Sequence, residues 1–380
     1  MKNTFKIIPC YSADTSGVCS AFYELGGMTV VHDASGCNST YSTHDEPRWY
    51  DQRSMIYISA LTEMDAVMGN DEKLICDTLS AIKDQQPEFC VICGSPMPMM
   101  TGVDFDAIAA EIHKRSGVRT FAVKTNGTHS YLKGAASSML VMAESFTSPC
   151  EKTNGIGVNI LGATPLDISA EMIESTKEWL TQNGFVPVCC MAMGSTLEDL
   201  GKAAGAAVDL VVSYSGLAAA KFMLKKYGIP YVCGIPMGEA FGKVLAQNIW
   251  LAAQEGTPLY PCTERNTDPC GIQVIGESIF AGSLAAALSL EKGMGTRVIC
   301  PLDHEAVLLG KGDLALSAEE DIEAALKAQS IRGIAADPLY RYISPENVGF
   351  YEVPHFAFSG RCYMKKMKDL IKTPIGEISV

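Results

Sequence analysis

Short apolar runs of four to six residues alternate along this chain with longer stretches whose apolar positions recur at helical spacing. The pattern fills three successive blocks. The first holds FKIIP, MTVVHD, MIYISA, FCVICG and RTFAVK, separated by helical patterns such as DEKLICDTLSAIKDQQ and DFDAIAAEIHKRSG, and closes with YLKGAASSMLVMAESF. The second runs from GVNILG through PVCCMAM, DLVVSY and YVCGIP to a long helical pattern, EAFGKVLAQNIWLAAQEG. The third has IQVIGE, TRVICPLD, GIAADP and VGFYEVPHF, and ends in a predicted basic helix, RCYMKKMKDLI. Apolar runs of this length with amphipathic helices between them predict parallel sheets covered on both faces. Two polar stretches carrying Pro and Gly, TSPCEKTNG (147–155) and TPLYPCTERNTDPCG (257–271), read as boundaries. The expected fold is α/β, with three Rossmann-like domains at 1–150, 151–262 and 263–380, each a parallel sheet flanked by helices.

Composition narrows the function. A chain of 380 residues suits two or three domains. It is 47% hydrophobic and only 19% charged, which fits a soluble protein with a large subunit interface. A net charge of −13 argues against nucleic acid as a partner. The start MKNTFKIIPC lacks a signal segment, and no apolar run reaches the roughly 18 residues of a membrane span, so a cytoplasmic location is expected. Neither a phosphate-binding Gly-x-x-x-x-Gly-Lys-Ser/Thr loop nor a Gly-x-Gly-x-x-Gly fingerprint is present.

The 14 cysteines should stay reduced in that compartment, and most should pack as small hydrophobes. Cys189, Cys190, Cys233 and Cys300 read as core residues of strands. Cys10 and Cys37 differ: each follows an apolar run, so each is expected at a strand end, where open α/β sheets build their sites. With no compact four-ligand set beside them, they suggest an iron–sulfur cluster more than a structural zinc. Cys90 and Cys93, three apart on one strand, must point to opposite faces and cannot both serve one site unless the strand ends between them. The segment HDEPRWYDQR (44–53) is charged and aromatic: it reads either as a loop facing a docking partner or substrate or as a solvated polar loop. His129 stands at a strand-to-helix turn, where a helix N-terminus favours an anion.

The order of these motifs resembles the component 1 proteins of nitrogenase and nitrogenase-like reductases. Cys10, followed by Gly17 and Val18, and then VVHDASGCNSTY look like the family's first two cluster cysteines. His32, Gly36, Cys37 and Tyr41 keep the pattern of the second, with Asp33 where Gly is usual. ALTEMDAVMGNDEKL is similar to the family's Thr-Glu-x-Asp-x-Val-x-Gly-Gly segment, with Asn70 replacing the second Gly. VNILG, DLVVSY, LKKYGIPY and VPHFAFSGRCYM follow in the family's order.

The resemblance implies three Rossmann-like domains, assembly with a homologous chain or with itself, and electrons delivered by a separate ATP-hydrolysing iron–sulfur protein. It implies Cys10 and Cys37 as cluster ligands. For the third ligand the family register falls on Ser95 or Pro96, while Cys93 is the nearest cysteine at the strand end. Cys93 is the chosen candidate and Ser95 the alternative. Asp14, Cys19 or a partner chain are candidates for a fourth. A four-iron cluster is favoured over a larger one. Nitrogenase anchors a further molybdenum–iron cofactor through a Cys and a His. Here Ser213 holds the first position, and His355 lies one residue from the second. The expected activity is therefore reduction of a small unsaturated substrate other than dinitrogen, bound between domains near Ser213, with His355 as proton donor. A non-catalytic scaffold for cluster or cofactor assembly is the alternative.

Overall fold

The computed structural model describes residues 6, 7, 10, 12–34 and 46–378. Thirteen strands form three sheets among these residues, and every pairing is parallel. The first sheet has β1 (Gly27–His32), β2 (Ile56–Ile58), β3 (Phe89–Gly94) and β4 (Thr120–Val123), in the order β2-β1-β3-β4. The second repeats that order with β5 (Ile156–Leu161), β6 (Phe185–Cys190), β7 (Val208–Val211) and β8 (Tyr231–Cys233), as β6-β5-β7-β8. The third holds β9 (Thr267–Ile275), β10 (Thr296–Cys300), β11 (Leu314–Ala315), β12 (Gly333–Ala336) and β13 (Gly349–Glu352), ordered β11-β10-β9-β12-β13. This is the expected α/β architecture of parallel sheets flanked by helices. In each sheet the order reverses beside the first strand, and the crevice at that reversal opens at the carboxyl ends of the strands.

The apolar runs form central strands because both of their faces are covered. In β3, Phe89, Val91 and Cys93 pack into one core cluster while Cys90 and Ile92 pack into another across the sheet. Cys90 and Cys93 thus point to opposite faces, as their spacing requires. Cys189, Cys190, Cys233 and Cys300 are buried strand residues. The helix Asp14–Ala21 is buried on every side. It packs against the helix Tyr131–Phe146, and two glycines allow the approach. A Cβ on Gly17 would stand 2.0 Å from the Tyr131 carbonyl oxygen, and one on Gly134 would stand 1.8 Å from that of Asp14.

Three expectations change. Lys6, Ile7 and Cys10 are not in a strand, because the Lys6 and Ile7 N–H groups bond the Glu319 carboxylate instead of a neighbouring strand, so Cys10 does not stand at a strand end. The closing segment is not a helix. It makes short 3-10 turns at Gly360–Cys362 and Met364–Lys366. The Asp369 carboxylate accepts the Ile371 and Lys372 N–H groups and the Ser175 hydroxyl, which gives the backbone an alternative to helical bonds. The stretch 257–271 is not merely a linker, because β9 begins within it. Pairing with β10 and β12 starts only at Ile272, so Pro269 sits where no ladder bond is demanded of it.

Candidate functional site

The carboxyl ends of the second and third sheets, and the segments around Cys10 and Tyr131, converge on Asp167, which is fully buried. Asp167 lies in the loop after β5. Ser213, just past β7, donates its hydroxyl to Asp167 Oδ2 at 2.7 Å. Tyr131, the first residue of its helix, donates its hydroxyl to Asp167 Oδ1. His355, past β13, brings Nε2 to 3.2 Å from the same oxygen, and neither ring nitrogen makes a hydrogen bond among the described residues. Its ring is walled by Tyr131, Phe280 and Phe358, the last at 4.7 Å between centroids. Asp337, past β12, accepts the His355 N–H at 2.9 Å and the Ser359 hydroxyl at 2.7 Å. Glu277, at the end of β9, caps the helix Ser278–Lys292 by accepting the N–H groups of Ile279 and Phe280. Burial, and then the nearby Asp167 charge, push its carboxyl upward. Burial also raises the Asp337 carboxyl, and burial and then Asp167 raise the Tyr131 phenol.

Cys10 lies directly behind this group. Its thiol approaches the carbonyl oxygens of Ser12 and Ala357, each at 3.5 Å. Burial pushes that thiol up to about 12. On its other side Cys10 borders a cavity of about 600 Å³, shared with Ser12, the loop Gly127–Ser130 and the β10 loop containing Asp303 and His304. Ser130 donates to Asp303 Oδ2 at 2.7 Å. The His304 Nδ1–H donates to the Leu302 carbonyl at 3.0 Å, which places a ring proton on Nδ1. Both oxygens of Asp14 are spent on the N–H groups of Thr15, Asn126 and Gly127, so this residue holds the cavity loop in place.

The sequence-based candidates fall in different places. Ser213 and His355 meet through Asp167, and no substrate-sized space separates them. The adjoining void, bordered by Asp167, Phe280 and Pro354, is about 10 Å³. Cys93 is fully buried in the core that also contains Cys19, and burial holds its thiol well above the ordinary range. Ser95, the first residue past β3, is buried, and its hydroxyl has no partner among the described residues. Its neighbour Pro96 packs on Gly127 of the cavity loop, where a Cβ would stand 2.5 Å from Pro96 Cδ. Cys37 and His44 lie outside the described residues, and among those described no three His, Cys, Asp or Glu side chains are grouped to hold a metal ion.

Over its described part the charged segment after Cys37 is divided: Tyr50, Asp51, Gln52 and Arg53 are exposed. Glu46 and Arg48 are buried. The Arg48 guanidinium donates to Glu46, Glu24, the Ser20 carbonyl and, in the second sheet's domain, the Ala192 carbonyl. An exposed apolar face occurs instead on two adjoining short helices, Glu63–Met68 and Pro96–Thr101. Val67 is 82% exposed and Met100 81%, with Met64 and Met68 nearly as open. His32 lies in a small pocket between these helices, 2.7 Å from the Ser59 hydroxyl through Nδ1. Sequence reasoning passed over Asp167, Tyr131 and Glu277. The available signal was an acid just past an apolar run, as in IGES and LGATPLD.

Comparison with known proteins agrees with this architecture. No curated protein matches the sequence. Two solved structures titled "Nitrogenase Cp1" are similar in fold. The one at pH 6.5 has 13% identity and a TM-score of 0.67 over 100% of this chain and 97% of its own. The one at pH 5 has 17% identity and a TM-score of 0.58 over 86% of this chain and 72% of its own. No helix among the described residues is long and apolar enough to cross a membrane. The sequence matches "Nitrogenase component 1 type Oxidoreductase" over residues 16–240, more than half its length. The chain belongs to the nitrogenase component 1 type oxidoreductase family.

Proposed function

We propose that this chain is the iron–sulfur subunit of an ATP-dependent, nitrogenase-like reductase. It takes electrons from a separate ATP-hydrolysing iron–sulfur protein and reduces a small unsaturated substrate other than dinitrogen. The observation that carries the reading is the Cys10 thiol at the edge of a 600 Å³ cavity, in a chain of this family. The donors available for a cluster are Cys10 at the cavity wall, Cys37 as implied by the family resemblance, and the unpartnered buried hydroxyl of Ser95 just past β3. Cys10 and Cys37 would hold it, with Cys93 or Ser95 as third ligand and a partner chain completing the set. Four irons suit so short a set. Bound there, the cluster supplies one-electron transfer at low potential.

The protein's own groups would then do the rest. His304 lines the cavity with its Nδ1–H on the Leu302 carbonyl, which leaves Nε2 as the ring atom that can bond a bound molecule. The filled junction at Ser213 speaks against a large second cofactor, and so against dinitrogen as substrate. The exposed methionine face on 63–68 and 96–101 is a docking surface for the electron donor, since contiguous exposed apolar patches mark protein contacts. It follows β2 and β3 directly, on the same sheet edge as Ser95. Assembly with a second subunit, identical or homologous, is part of the reading.

The test is anaerobic purification with iron, sulfide and spin-resonance measurement, followed by addition of a cognate donor. Cys10→Ala and Cys37→Ala should each lose iron, Cys93→Ala should lose it if Cys93 is the third ligand, and Cys233→Ala should keep it. Cluster reduction only with donor and ATP together supports the relay. Unchanged iron in both the Cys10 and Cys37 variants overturns the assignment, and a cluster that no donor reduces but that transfers to another protein would favour the scaffold.

A further inference from the structure

The exposed methionines of this chain are not scattered. Met64, Met68, Met97, Met99 and Met100 are 70, 71, 42, 48 and 81% exposed. All five belong to the short helices Glu63–Met68 and Pro96–Thr101, whose C-terminal ends meet across the small pocket that holds His32. The core methionines are the opposite case: Met28, Met139, Met142, Met223 and Met237 are wholly buried. Among the described residues one more methionine is open, Met364 at 39%, and it lies on the closing segment of the third domain.

The fold does not require thioethers at these five positions. The helix Glu63–Met68 has no buried residue. Its ends hold it instead: Thr62 and Asp65 form a capping box, the Asn70 amide donates to Asp65 at 2.9 Å, and Gly69 closes it in the left-handed conformation. The helix Pro96–Thr101 buries only Pro98. It starts on Pro96 and closes on left-handed Gly102, whose N–H returns to the Pro98 and Met99 carbonyls. A change in these methionine side chains therefore alters the surface and leaves the packing alone. Leucine would present comparable apolar area. What methionine adds is a nucleophilic sulfur, which a peroxide converts to a polar sulfoxide and which sulfoxide reductases restore.

We propose that Met64, Met68, Met97, Met99 and Met100 form an oxidation site, at which a peroxide turns the apolar docking face into methionine sulfoxides and so releases the partner while the fold stays intact. In each step the sulfur lone pair attacks one peroxide oxygen, the O–O bond breaks and an S–O bond forms. The sulfur loses an electron pair and the peroxide is reduced. Its other oxygen leaves with the proton, as water from hydrogen peroxide or as an alcohol from an organic peroxide. Sulfoxide oxygens are strong acceptors, and burying them against an apolar partner without hydrogen bonds costs free energy. The release of a partner rests on the docking reading of this face given above. The oxidation site itself does not.

The experiment treats the full-length, metal-free protein with hydrogen peroxide, stops the reaction with catalase, and adds a thiol reductant to reverse cysteine sulfenic acids and disulfides. Peptide mass spectrometry then follows each methionine in time. The five surface positions should oxidise at least about tenfold faster than Met28, Met139 and Met142, and the urea unfolding midpoint should not move. Binding of the cognate ATP-hydrolysing iron–sulfur donor, measured by sedimentation, should weaken about tenfold and return after treatment with methionine sulfoxide reductases. The combined variant Met64→Leu, Met68→Leu, Met97→Leu, Met99→Leu and Met100→Leu should show the same donor affinity before and after peroxide, whatever that affinity is. Core methionines oxidising as fast as these five, or a midpoint that falls as they oxidise, overturns the proposal. A donor that binds oxidised and untreated protein equally overturns the switch and leaves the complex standing. A donor that never binds the untreated protein overturns the docking reading and the switch with it, and the peptide map alone then decides the oxidation site.

Discussion

Replacing Gly134 with alanine sets two quantities against each other. Alanine is the better helix former, and inside a helix the change should gain about 1 kcal/mol. The new Cβ, however, would stand 1.8 Å from the Asp14 carbonyl oxygen and 2.7 Å from its carbon. Both are backbone atoms of the neighbouring buried helix, so no side chain can swing aside. The helices must separate by more than an ångström, opening a seam across a close-packed core. Overpacking of this kind costs roughly 1–3 kcal/mol, and more where the backbone itself must move. The expected net loss is about 2 kcal/mol or greater. Gly201 is the control, since it too is helical and its nearest heavy atom would be 4.0 Å from an added Cβ. Gly201→Ala should be neutral or stabilising by up to about 1 kcal/mol. Urea unfolding of the metal-free protein, followed by circular dichroism, reads both. If Gly134→Ala unfolds within experimental error of Gly201→Ala, the claim that glycine sets the spacing of these helices is wrong.

Arg48→Met strands the buried Glu46 carboxylate and should cost about 3–5 kcal/mol in the same assay, and adding Glu46→Gln should recover part of that loss. Asp209 is fully buried, and burial raises its carboxyl to about 8 despite the Asn159 amide bond. The folded state therefore holds a proton that the unfolded chain releases near pH 4, so stability contributed by that proton is lost as pH rises from about 4 to about 8. Asp209→Asn should flatten this decline, which in the wild type is at most about 1.4 kcal/mol per pH unit. Met68→Lys and Met100→Lys should leave iron content and unfolding unchanged while slowing donor-dependent cluster reduction at least tenfold. Equal rates in these two variants would remove the docking assignment.

Much of the architecture could be read along the chain. A parallel strand covered on both faces must be apolar almost throughout, so MTVV, FCVICG, GVNIL and TRVIC announced themselves, and the opposed faces of Cys90 and Cys93 followed from the pleat alone. Core cysteines such as Cys233 were legible for the same reason. Where pattern misled, a local side chain intervened: Asp369 bonding its own backbone unmade the basic closing helix read from RCYMKKMKDLI. The site was less legible. Ser213 and His355 could be singled out by motif order, but not what lies between them. Periodicity reports which face of an element is buried. It does not report which loop of another domain will arrive there. Asp167 meets Tyr131 across 36 residues and Ser213 across 46. Only the docking of the domains decided that a carboxylate, rather than open space, would fill that junction, and that Cys10 would stand with a cavity before it and a buried acid behind it.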